Sequence, residues 1–188
     1  MKRLRAFHDG FPLYHAGLPG FPRNFARDAI YSALLLKDPL MLREQLDFCS
    51  ARQGKAGNPL TGEEPGKIFH EYPPYNVRGI CTLYNACDTT GLFLLGHGAY
   101  LRWTGDASLA ASHRESLRRA AGYVLAHIED GLFFEAPSFS GAERLALKVT
   151  YWKDSVIHGR EGGEPAWPAV FPLAHLQKDL GFEYCNTV

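Results

Sequence analysis

A tryptophan two residues ahead of an aspartate, in Tyr151-Trp152-Lys153-Asp154-Ser155, is the pattern in this chain with the clearest chemical use. A carboxyl held against an indole ring loses solvation, so its pKa rises and it keeps a proton to donate near neutral pH. Cleavage of a glycosidic bond needs such an acid, set opposite a second carboxylate that directs water. The plainer alternative is a surface ion pair between Lys153 and Asp154. Three other polar clusters sit among aromatic residues. Arg27-Asp28 follows Phe21 and Phe25, and Asp28 there either complements a helix dipole or faces a ligand. The run from Glu63 to Tyr72 is either a solvated charged loop or a loop anchored by Ile68-Phe69, which would hold His70 and Glu71 in place. In Tyr84-Asn85-Ala86-Cys87-Asp88-Thr89-Thr90, Asp88 or Thr89 caps a helix, and that helix start can also present polar groups to a ligand.

The elements that must position these clusters read as helices. Residues 7–24 are rich in Gly, Pro and aromatics and predict an irregular segment. Asn24 is the expected N-cap of a helix reaching about Lys37, with Ala29, Ile30, Ala33, Leu34 and Leu36 at helical spacing. Pro39 opens a second helix over about 40–53, with Leu42, Leu46 and Cys49 on one face. Glycines and prolines make 54–80 a long loop, a feature often tied to function. A third helix is expected over about 89–103, on Leu92, Leu95, Ala99 and Trp103, and a fourth over about 107–128. Asp130-Gly131 turns the chain into an irregular or strand-like stretch, and a last helix runs from about Phe171 to Leu180. No alternating strand series stands out. The expected fold class is all-α, one domain over 1–188, built of antiparallel helical hairpins whose long loops gather at one end.

Several function classes are excluded by what is missing. Twenty lysines and arginines balance twenty aspartates and glutamates, so there is no basic footprint for nucleic acid. Gly62-Glu63-Glu64-Pro65-Gly66-Lys67 is one residue short of a phosphate loop, and Ile68 stands where a hydroxyl would hold magnesium. His70-Glu71 lacks the second histidine of a zinc-protease helix, and no GxSxG or GxGxxG occurs. Cys49, Cys81, Cys87 and Cys185 form no zinc-ligand spacing, so no metal and no cofactor is expected. A reduced, cytoplasmic setting is the expectation. No apolar run approaches the roughly 20 residues of a membrane span.

Taken in order, Phe25-Ala26-Arg27-Asp28-Ala29, Gly62 to Glu71, Tyr84 to Thr90, Tyr100-Leu101-Arg102-Trp103-Thr104-Gly105-Asp106 and Trp152-Lys153-Asp154-Ser155 resemble segments of the (α/α)6-barrel glycoside hydrolases. The nearest likeness is to the amylo-α-1,6-glucosidase and glycogen-debranching type of catalytic domain. The resemblance implies a toroid of helical hairpins, with about half of the barrel in this chain. It implies an inverting hydrolase acting on α-linked glucose or a related sugar, with Asp154 as general acid. Asp28, supported by Arg27, would hold sugar hydroxyls; His70, Glu71, Asp88 and Trp152 would line the pocket. The family's general base, a Glu from a later hairpin, has no matching position, and no motif assigns Glu161 or Glu164 to the role. A carbohydrate is the implied partner, and the open edges of a half-barrel would favour self-association. Two alternatives stand beside this one. The first is a sugar-binding or structural protein without turnover. The second is an epimerase or lyase using His70, Tyr72 or His158.

Overall fold

The computed structural model describes residues 4–77, 80–135 and Phe139. Asp154, Trp152 and the helix expected near 171–180 lie outside them. The described chain is not all-α. Helices are joined by four two-stranded antiparallel sheets, so the fold mixes helix and strand. The self-association expected from an all-helical ring with open edges rested on a fold class that these strands correct.

The first of those sheets shows why the all-α expectation failed. Strands β1 (Arg5–His8) and β2 (Phe11–Tyr14) pair with Arg5 opposite Tyr14 and His8 opposite Phe11. Asp9 and Gly10 turn the chain between them, both at positive φ. Asp-Gly is a favoured two-residue hairpin turn because both positions must adopt left-handed backbone. Pro12 and the surrounding glycines hide that signal. Leu13 and Tyr14 are buried, and the Tyr14 hydroxyl donates to Glu44 at 2.6 Å, where the Arg5 guanidinium also pairs.

Strand β3 (Asn24–Phe25) runs directly into α1 (Ala26–Leu36). Asn24 is therefore not the expected cap. Its buried amide donates to the Tyr14 carbonyl at 2.9 Å and exchanges two hydrogen bonds with Gln45, at 2.7 and 3.1 Å. Helix α1 ends at Lys37, which takes left-handed backbone. Helix α2 (Pro39–Ala51) follows, with Pro39 in its first turn and the Asp38 carboxylate accepting from the Met41 amide at 3.0 Å. Leu42, Leu46 and Cys49 are fully buried, as their spacing predicts.

The stretch expected to be a long loop is mostly irregular, as predicted, but its 66–71 segment is buried. Lys67, Ile68 and Phe69 are fully buried. The Lys67 ammonium donates to the Gly62 carbonyl at 3.0 Å and pairs with Glu64 at 3.1 Å, while Glu64 meets His127 at 2.9 Å. Strand β4 (Glu71–Tyr72) pairs back onto β3, and β5 (Asn76–Val77) pairs with β6 (Ile80–Cys81).

In helix α3 (Thr89–Thr104) Leu92 is buried and Ala99 packs against the core as expected, but Leu95 and Trp103 do not face inward. Leu95 is 52% exposed, and Phe93, Gly96, His97 and Tyr100 face inward. Gly96 sits against Leu46 and Leu42, so the helices approach through a residue that carries no apolar signal. The expected fourth helix is broken at His113 into α4 (Ser108–Ser112) and α5 (Arg114–Ala126). Beyond it β7 (Ile128–Glu129) and β8 (Leu132–Phe133) pair across Asp130-Gly131, a second turn with both residues at positive φ.

Two glycines predict opposite outcomes. Gly98 lies within α3 with nothing within 4 Å of an added Cβ. Gly98→Ala is therefore expected to raise stability by about 0.5–1 kcal/mol, since alanine loses less backbone entropy in a helix. Gly66 has φ +90°, and an added Cβ would run into the Arg119 carbonyl and the Tyr123 side chain. Gly66→Ala should cost at least about 2 kcal/mol. Urea denaturation of both variants checks the pair.

His97 gives a pH prediction. It is buried, its Nδ1–H donates to the Phe93 carbonyl at 2.9 Å, and its Nε2 meets His113 Nδ1 at 3.0 Å. Burial outweighs the Phe93 hydrogen bond and pushes its pKa down to about 4. The unfolded chain thus takes up this proton first, and falling pH favours unfolding between the ordinary value of about 6.5 and about 4. Each unit in that window costs about 1.4 kcal/mol. Relative to wild type, His97→Gln is expected to gain about 2 kcal/mol between pH 7 and pH 4.5, read from urea midpoints at the two values.

Candidate functional site

Three segments far apart in sequence are laced together where α1 and α3 begin. Asn24 pairs with Tyr72 and Phe25 with Glu71, and the Ala26 amide donates to the His70 carbonyl at 2.9 Å. The Thr89 hydroxyl donates to the Ile68 carbonyl at 2.9 Å, and the Thr90 hydroxyl accepts from the Ile68 amide at 2.9 Å. These bonds fix the first turns of α1 and α3 on either side of the 68–72 segment. The consequence is that Arg27, Asp28, His70 and Asp88 lie together.

Asp88 does not cap α3 with its side chain. Its two carboxylate oxygens instead accept from Arg27, at 2.7 Å from Nε and 2.9 Å from Nη2. Both side chains are 7% exposed. A bidentate pair of this kind fixes the guanidinium plane as well as its charge.

Beside that pair opens a cavity of about 690 Å³, lined among the described residues by Phe21, Phe25, Arg27, Asp28, Tyr31, Ser32, Leu35, His70 and Ala16. Its size falls in the range of small-molecule sites, about 300–1,000 Å³. Phe21 and Phe25 meet edge to face at 6.3 Å, and Phe25 meets the His70 ring at 5.5 Å. Asp28 stands on the wall with its carboxylate open to the cavity. Desolvation by the surrounding wall raises its pKa above the ordinary value, against the pull of the Arg27 charge. His70 is buried, and burial, reinforced by the charges of Arg27 and Lys67, pushes its pKa down to about 3. It is therefore neutral at physiological pH and offers an imidazole rather than a cation.

The sequence-derived residues thus divide. Arg27, Asp28 and His70 line the cavity, and Asp88 acts one step behind it by holding Arg27. Glu71 does not line it. Neighbouring residues of an extended chain point to opposite sides, and Glu71 accepts from the Thr82 hydroxyl and pairs with Arg23 at 3.5 Å on the other side. Tyr72 is likewise absent from the lining, and its hydroxyl meets His8 Nε2 at 3.0 Å. Asp154 and Trp152 lie outside the described residues, as does His158.

Tyr31, Ser32 and Leu35 are additions that sequence reading missed. They follow Asp28 at three, four and seven residues, which places all four on one face of α1. The small core stripe Ala26, Ala29, Ile30 and Ala33 occupies the opposite face. That second stripe was the available signal. No group of three or more metal-ligating side chains occurs among the described residues. None of their helices is long and apolar enough to cross a membrane. No protein-family model and no curated protein sequence matches the chain.

Proposed function

We propose that this chain carries the sugar pocket of a glycoside hydrolase acting on α-linked glucose or a related sugar. The observation that supports the reading most is the 690 Å³ cavity in which Phe21, Phe25 and Tyr31 surround the open Asp28 carboxylate. Sugar rings present apolar faces that stack on aromatic side chains, and hydroxyls that donate to carboxylates. Arg27, locked by Asp88, stands next to Asp28 in the lining, and neutral His70 closes the wall. In this reading Asp154 protonates the leaving oxygen, while a water directed by a second carboxylate attacks from the opposite face with inversion.

A second reading has one specific observation behind it. No motif in the sequence supplies the general base that inversion requires. Inverting hydrolysis needs two carboxylates, about 6.5–9.5 Å apart. A sugar-binding protein without turnover needs only the pocket.

One experiment separates the two. The protein is incubated with an aryl α-glucoside, and the released sugar is followed by proton NMR. Hydrolysis giving the β-anomer first supports the inverting hydrolase. Saturable binding without release supports the binding protein. Absence of binding contradicts both.

A further inference from the structure

We propose that His127 is a proton-operated latch: as an imidazolium it clips the end of α5 and the β7–β8 hairpin onto the 62–67 loop, and loss of its proton releases the hairpin. Both ring nitrogens of His127 face groups that only accept. Nδ1 lies 2.8 Å from the Tyr123 carbonyl, and Nε2 lies 2.9 Å from Oε2 of Glu64. The other Glu64 oxygen accepts from the Lys67 ammonium at 3.1 Å. Burial would raise the Glu64 pKa, but the bond from His127 and the Lys67 charge outweigh it and hold the carboxyl below its ordinary value. Glu64 therefore has no proton to give. A neutral imidazole carries one N–H. Either tautomer would set a lone pair against an oxygen at 2.8 or 2.9 Å, between side chains that are mostly buried. Only the cation satisfies both sides.

The surroundings favour that cation. His127 is the C-cap of α5, where the helix dipole attracts positive charge. From its own helix the Tyr123 ring lies 4.3 Å away, and from β8 the Phe133 ring lies 5.6 Å away, both within cation–π range. The charges acting on it are Glu64 and Lys67 of the loop. Burial and the Lys67 charge oppose protonation, but the bonds to Glu64 and the Tyr123 carbonyl and the Glu64 charge outweigh them, so the His127 pKa is raised. Its contribution is therefore complete below the unfolded value of about 6.5 and is lost as pH rises through the folded value. The hairpin responds rather than the loop. Lys67 keeps its bonds to Glu64 and the Gly62 carbonyl in either state of His127. The hairpin begins at the next residue and is seated on His127 itself, through the Phe133 ring and the Phe134 amide, which donates to the His127 carbonyl at 2.7 Å.

The test reads the proton and the hairpin separately, on the full chain. Ring nitrogen chemical shifts should show both nitrogens of His127 protonated at pH 6. Protection of the Phe134 amide against hydrogen exchange, taken relative to the intrinsic rate at each pH, should fall at least about tenfold between pH 6 and pH 9, the scale of one lost charge-assisted hydrogen bond. In His127→Gln that protection should be low at both pH values. A neutral tautomer at pH 6 overturns the proposal. So does wild-type protection that holds to pH 9, or a folded His127→Gln that repeats the wild-type fall. Should His127→Gln not fold, the two wild-type measurements decide.

Discussion

Arg27→Met is expected to destabilise the chain by about 3–5 kcal/mol, the cost of leaving one member of a buried ion pair without its partner. Asp88 is 5% exposed and both of its oxygens accept from Arg27. With methionine at 27, the carboxylate stays in a site that water does not reach. The double variant Arg27→Met, Asp88→Leu should recover much of the loss, because replacing a buried pair by apolar residues is often neutral or stabilising. Urea denaturation of the two single variants and the double variant gives the coupling directly. Additive effects would mean that the pair does not hold the starts of α1 and α3 together. Sugar binding offers a second readout, since Arg27 also lines the cavity. The double variant, though stable, should bind sugar at least about tenfold more weakly, the scale of a lost charge-assisted hydrogen bond.

Asp154→Asn carries the largest expected effect on chemistry. In a form that also supplies the general base, turnover on an unactivated α-glucoside should fall at least about a hundredfold, the usual contribution of a positioned general acid. On a dinitrophenyl glucoside the fall should be much smaller, because that leaving group departs without taking a proton. The contrast is what identifies an acid; a residue that only shapes the pocket would lower both rates alike. Equal losses on the two substrates, or near-wild-type turnover on the first, would remove Asp154 from the role.

The sequence was most legible where apolar spacing and capping residues agree. Asp38-Pro39 starts α2, and Leu42, Leu46 and Cys49 face the core as their spacing requires. Gly105 ends α3 at positive φ. Reading failed where a residue works through a distant partner. Asn24 looks like a cap, yet its amide is matched to Gln45 on another helix, a pairing no local pattern reveals. Gly96 contributes nothing to an apolar stripe, yet it lets α3 approach Leu42 and Leu46, and so the stripe placed Leu92 and Ala99 correctly but not Leu95. The short strands were missed because β3 and β4 hold two residues each, too few for alternation to show. That pairing is nonetheless what brings Asp28 to His70. The polar clusters marked which segments meet, while Tyr31 and Ser32 emerged only once α1 was seen to have a cavity face as well as a core face.

Sugar binding in the α1 cavity is the step on which the proposed function depends. Its most direct measurement is a titration of the isotope-labelled chain with maltose, followed by amide chemical shifts. Saturable shifts concentrated at Arg27, Asp28, Tyr31, Ser32 and His70 are expected, together with their loss in Asp28→Ala. Absence of saturable shifts, or shifts confined to surfaces away from α1 and the 68–72 segment, would contradict it.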